Sequence, residues 1–168
     1  MSFFRMIFFY FCIYSFLGWI IEGLFNLSTR GNFTKPNFLI LPLKPMYGIA
    51  AVLLIILKDL VPFWLFLIGC FIVPSFVEYL TAYLLFHSFH LKYWDYSKLP
   101  YNLSGYVCLR FSIYWVFLSL ALVYVVHPFI SLFYTQIVWF WSYFFPIMLL
   151  LFIIDFYLTI RSKKHLHI

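Results

Sequence analysis

Residues 62–86 read PFWLFLIGCFIVPSFVEYLTAYLLF, a run in which Glu78 is the only charged side chain. A straight helix needs about 20 predominantly apolar residues to cross the hydrocarbon core of a bilayer. This stretch is long enough, and its composition leaves no polar face for water. It is therefore read as a membrane span, with one carboxylate that lipid would not tolerate unshielded.

Working outward, four more apolar segments appear, at Phe3–Phe25, Pro45–Leu57, Gly105–Val126 and Thr135–Ile160. The expected fold is an all-α integral membrane protein of about five transmembrane helices in a single transmembrane domain, residues 1–168. The first segment is too long for a signal peptide and has no small-residue cleavage site, so it reads as a retained anchor. The second is short for a straight span. It either starts earlier, tilts or forms a half-helix, and Pro42 and Pro45 disfavour a regular start before Met46.

Composition points the same way. The 168 residues are 66% hydrophobic and 10% charged, with a mean hydropathy of +1.02. Soluble domains carry about 25% charged residues, so this alphabet cannot cover a water-exposed surface. The 24 Phe and 14 Tyr are read as compositional drift ahead of a ligand cage. Cys12, Cys70 and Cys108 fall singly within apolar segments, which argues against a disulfide framework or zinc site. No basic run interleaved with aromatics points to nucleic acid. No P-loop occurs, so the chain does not itself bind ATP in that way. No cofactor or metal is expected.

Lys and Arg divide unevenly between the two sides. Arg30, Lys35, Lys44, Lys92, Lys98, Arg161, Lys163 and Lys164 fall on one side, with Arg110 at its edge, and only Arg5 and Lys58 on the other. The positive-inside rule then places the amino terminus outside and the carboxyl terminus in the cytoplasm of a plasma-membrane protein. Two long loops, Asn26–Lys44 and His87–Ser104, face the cytoplasm. The outer connections, Lys58–Val61 and His127–Tyr134, are short.

A weak echo links helices 1–2 to helices 3–4. Glu22 precedes Leu41-Pro42 by 19 residues, and Glu78 precedes Leu99-Pro100 by 21. Gly48 and Gly105 follow in the respective segments. Parallel repeats of this kind are a transporter device, and chance similarity is an equal account.

The candidate site follows from spacing. Ser15, Gly18 and Glu22 share one helical face, as do Ser75, Glu78 and Ala82. Small residues on such stripes allow close helix approach in lipid. With Arg110 at a comparable depth, a Glu22–Arg110–Glu78 cluster is expected in the cytoplasmic half of the bundle. It would be net negative and suited to a cation or proton, or would serve only as a packing lock. No nucleophile–base pairing accompanies it, so no catalytic residue is assigned.

The second loop carries Trp94-Asp95-Tyr96-Ser97, where Asp95 suits a turn through Ser97, and Trp94 and Tyr96 suit the headgroup belt. Asn102 is expected to cap the fourth helix. Asp95 and Asn102 are also candidate ligand contacts. His87 and His90 would share a face if helical, though solvated histidines are the better reading. Asp155 is expected to snorkel towards the interface, and His165 and His167 to be solvated.

These residues resemble a family. Trp94-Asp95-Tyr96-Ser97 with Asn102, Gly105, Cys108-Leu109-Arg110-Phe111-Ser112 and Trp115 is similar to the signature of the putative ABC-transporter type IV membrane proteins. Tyr14-Ser15-Phe16-Leu17-Gly18-Trp19 with Glu22, and Pro42, Pro45 and Met46-Tyr47-Gly48, match the same pattern. The resemblance spans about Phe11 to Trp115. It departs in the first loop, where the family's Asn-Arg-Gly and Gly-Pro give way to Lys35-Pro36-Asn37 and Leu41-Pro42. If the family's arginine binds a ligand or partner, this chain is either altered there or compensated by Arg30 or Lys44. It implies a small permease-like component in the lipid bilayer, completed by an ATPase subunit or a homo-oligomer. A lipid-handling intramembrane enzyme, with Arg110 on a phosphorylated headgroup, and a non-catalytic scaffold are the alternatives.

Overall fold

A computed structural model describes the backbone of residues 3–165 and side chains through Lys163. The expectation for His165 and His167, and the side chain of Lys164, lie outside the described residues. Helices α1 (Phe3–Arg30), α2 (Pro45–Leu60), α3 (Phe63–Phe89), α4 (Leu109–Ala121) and α5 (His127–His165) are joined by one small antiparallel hairpin, β1 (Asn102–Leu103) and β2 (Val107–Cys108).

The five-span expectation changes at α2 and at the α4–α5 junction. The expected outer connection after α4 is helical, and α4 and α5 run on as one apolar helix, Leu109–Lys163. Between them Leu122–Val126 form a π turn, in which the N–H of His127 reaches the carbonyl of Leu122. The stretch contains no glycine or asparagine to stop a helix. Pro128 lacks an N–H for the carbonyl four residues back, a defect that a widened turn absorbs. Among the described residues, three helical runs are long and apolar enough to cross a membrane: Phe3–Arg30, Phe63–Phe89 and Leu109–Lys163. Helix α2 is not among them, and its 16 residues rise about 24 Å.

Helix ends follow local chemistry. Helix α1 runs beyond Phe25 to Arg30, where Gly31 takes a left-handed φ of 70° and its N–H closes on the Leu27 carbonyl. Helix α3 ends the same way at His90, with φ 51° and an N–H donated to Phe86. His87 and His90 therefore do not share a helical face. Helix α4 starts at Leu109 and not at Gly105, because Asn102–Cys108 form the hairpin, turned by Ser104 and Gly105 at positive φ.

The chain forms two compact units, Met1–Gly48 with Ser131–Ile168, and Ile49–Ile130. In the first, α1 packs on α5 through aromatic rings. Phe8 meets Phe145 edge-on, and Phe9 contacts Tyr134 and Trp141 with centroids 4.9 and 5.1 Å away. The Trp141 indole donates to the Arg5 carbonyl at 3.0 Å. Part of the Phe and Tyr content therefore has a packing role beyond drift. In the second unit the core is Leu54, Phe66, Cys70 and Val123. Gly69 leaves room there for Leu57.

Candidate functional site

The Ser15–Gly18–Glu22 stripe meets a neighbour as expected. Gly18 lies against the Tyr47 ring, and Gly48 against Ser15 and the Phe11 carbonyl, so a methyl group at either glycine would collide. The chain between α1 and α2 reaches this contact by doubling back along α1. The N–H of Lys44 donates to the Ser15 carbonyl at 3.0 Å, about 22 Å of helix back from Arg30.

Non-helical backbone beside a helix apolar enough to cross a membrane needs partners within the protein wherever it is withdrawn from water. Here side chains supply them. Asn26 donates to the carbonyls of Asn32 and Thr34. Asn37 donates to those of Leu41 and Leu43. Asp155 on α5, buried at 5% exposure, accepts the N–H groups of Ile40 at 2.9 Å and Leu41 at 2.8 Å, and the Thr159 hydroxyl at 3.1 Å. The expectation that Asp155 snorkels is thus overturned: it clasps the loop.

The returning loop brings Lys35 and Lys44 to Glu22. Both ammonium groups reach Oε2, at 2.6 and 2.8 Å, with side-chain exposures of 24% for Lys35, 10% for Lys44 and 12% for Glu22. Two cations on one carboxylate leave a net positive charge, the reverse of the sign expected. Glu22 lies about 12 Å along the helix from Arg30.

Glu78, 3% exposed, has its own centre in the second unit. The Tyr96 hydroxyl donates to Oε1 at 3.0 Å and the Trp115 indole to Oε2 at 2.8 Å. One turn away, the hydroxyls of Ser75 and Ser112 lie 2.8 Å apart. Tyr96 stacks on Phe111 at 4.8 Å. Trp94 donates its indole N–H to the Tyr106 carbonyl at 2.9 Å, so Trp94 and Tyr96 fasten the hairpin and α3 in addition to any headgroup role.

Asp95 forms the expected turn, accepting the Ser97 N–H at 2.9 Å, and pairs with Lys92 at 2.7 Å. Asn102 does not cap α4. It accepts the Gly105 N–H at 3.0 Å and donates to the Leu99 carbonyl at 2.7 Å, closing the hairpin turn. Gly105 sits beside the Asp95 carboxylate and Ser97 with φ 71°, where a side chain would be strained.

Arg110 does not join a carboxylate. It is exposed, donates to the Tyr114 hydroxyl at 3.2 Å and lies over that ring. No ion pair among the described residues includes it. Residues two apart on a helix face away from each other. With Ser112 turned to Ser75, Arg110 is directed elsewhere. The expected Glu–Arg–Glu cluster is thus replaced by lysines on Glu22 and by neutral donors, Tyr96 and Trp115, on Glu78. Sequence reasoning missed Lys35, Asn26, Asn37 and Asp155 as site-forming residues. The dense polar spacing of Asn26–Lys44 was the available signal.

Residues 9–160 match the family model described as "Putative ABC-transporter type IV". Neither a curated protein nor a solved structure matches the chain.

Proposed function

The chain belongs to the putative ABC-transporter type IV family, and we propose that it is the membrane-embedded, permease-like part of a transport system. In this reading it sits in the plasma membrane with its amino terminus outside and its carboxyl terminus in the cytoplasm, and an ATPase subunit completes it. Its apolar helices and family membership support a transport-type membrane role. The observation that carries the reading is the Glu22–Lys35–Lys44 triad, held along an apolar helix by a loop that folds back beside it. An ionisable residue within a membrane span is a functional-site hypothesis by default. Glu78, with Tyr96 and Trp115, is a second polar centre on the helix preceding the second loop. The two carboxylates, each bound by residues of the chain that follows, make a parallel repeat the economical account of the sequence echo.

Affinity purification of the full chain from its native membrane tests the partner, and reconstitution with that partner into vesicles tests transport. The reading expects a nucleotide-binding subunit and saturable, ATP-dependent uptake. Recovery of the chain alone or only as a self-assembly, with no uptake, contradicts it.

A further inference from the structure

We propose that Lys35 and Lys44, held together by Glu22, form a binding site for a phosphate group. The inference rests on the reading of this triad as functional and names its ligand class. Each lysine ammonium has three N–H donors and no acceptor. The ammonium groups of Lys35 and Lys44 both direct one to the same oxygen, Glu22 Oε2, and no other side-chain hydrogen bond of either is seen among the described residues. Donors from two cations therefore remain within the reach of one small anion. Glu22 neutralises one of the two charges, and the other is mostly withdrawn from water, with Lys44 only 10% exposed in its side chain. An excess charge in such a place is unfavourable until an anion completes it.

The architecture fits an anion better than a lock. A packing lock needs one cation for one carboxylate, whereas here a second lysine is brought in by a loop that Asp155, Asn26 and Asn37 fix. Lysine serves phosphate as a mobile point charge, and basic pockets near the cytoplasmic ends of membrane helices take lipid phosphates. On a 28-residue α1, about 42 Å long, a centred core of about 30 Å leaves about 6 Å of helix at each end. Glu22, about 12 Å from Arg30, thus lies about 6 Å inside the core edge, within reach of a headgroup phosphate. The phosphate comes from a lipid headgroup or from a soluble phosphorylated solute. Both present the same oxygens to the same ammonium groups.

The full-length chain, purified in a phosphate-free maltoside detergent, is titrated with inorganic phosphate and followed by thermal unfolding. In parallel, retention of phosphatidylglycerol is compared with that of a phosphate-free glucosyl diacylglycerol by native mass spectrometry. Selective retention of phosphatidylglycerol assigns the lipid source, and stabilisation by inorganic phosphate assigns the soluble one. Lys35→Gln, at the more exposed lysine, weakens the response about tenfold. Glu22→Gln removes the competing negative charge and strengthens it, an outcome no packing lock gives. No response in either arm, an unchanged response in Lys35→Gln, or a weaker response in folded Glu22→Gln overturns the proposal. Phosphate binding without uptake would leave this site standing and sink the transport reading. Uptake with no phosphate response in either arm would do the reverse.

Discussion

The carboxylate of Asp155 and the backbone N–H of Leu41 lie 2.8 Å apart, joined across a sequence separation of 114 residues. With the Ile40 N–H at 2.9 Å on the other oxygen, the pair ties the first loop to α5. This clasp holds the loop in the position from which Lys35 and Lys44 reach Glu22. Replacing Asp155 with Asn removes the charge and leaves one acceptor oxygen for two donors. The loss should be about 1.5–3 kcal/mol. Hydrogen exchange at the amides of Ile40 and Leu41 should rise in Asp155→Asn while exchange in α3 stays as in wild type.

Two glycines should respond differently to alanine. At Gly48 a methyl group meets Ser15 and the Phe11 carbonyl, and the backbone atom cannot move aside. Gly48→Ala should cost about 1–3 kcal/mol by overpacking. At Gly31 nothing lies within 4 Å of a new methyl, and φ is 70°. Gly31→Ala should cost about 1 kcal/mol through backbone strain alone. Thermal unfolding in detergent orders the two.

The triad predicts an asymmetry among its members. Glu22→Gln leaves two ammonium groups mostly withdrawn from water and without their carboxylate, at a cost of about 3–5 kcal/mol. Lys35→Gln leaves Glu22 paired to Lys44 and relieves the excess charge, so it should cost no more than about 1 kcal/mol. Equal losses from the two substitutions, measured by the same unfolding assay, would contradict the geometry.

Asp95 gives a pH dependence. The hydrogen bond from Lys92, then the N–H of Ser97, lowers its carboxyl from 3.8 to about 2. A carboxyl lowered on folding contributes stability above its unfolded value, which is lost as pH falls through the folded value. The turn should thus be intact above about pH 4 and loosen towards pH 2. Trp94, the adjacent residue, reports it by fluorescence. Asp95→Asn should flatten that change between pH 4 and 2.

The apolar stretches were legible because lipid imposes them on the sequence directly. Residues 62–86 read as a span, and α3 occupies Phe63–Phe89. The Ser15–Gly18–Glu22 face was legible for a related reason, since small residues at helical spacing mark a close neighbour. The Asp95 turn was legible because its donor lies two residues away. What was hidden depends on long-range pairing. Nothing local tells Asp155 to accept from Leu41, or Lys35 to reach back to Glu22, because both need the loop's path. Arg110 was misplaced because depth along a helix was inferred without its angular position. The junction at Leu122–Val126 was misread because His127–Tyr134 reads as a short outer connection, while a π turn lets the helix continue.

The central claim is that the first loop returns to place two lysine ammonium groups on Glu22. The chain has two glutamates, Glu22 and Glu78, so Glu78→Gln leaves a single glutamate to observe. Solid-state NMR of that variant in lipid bilayers, with lysine ζ-nitrogen and glutamate δ-carbon labelled, measures the separation directly. The account predicts strong dephasing from nitrogens within about 4 Å, reduced but not abolished by Lys35→Gln. A glutamate carbon with no lysine nitrogen within about twice that distance would contradict it.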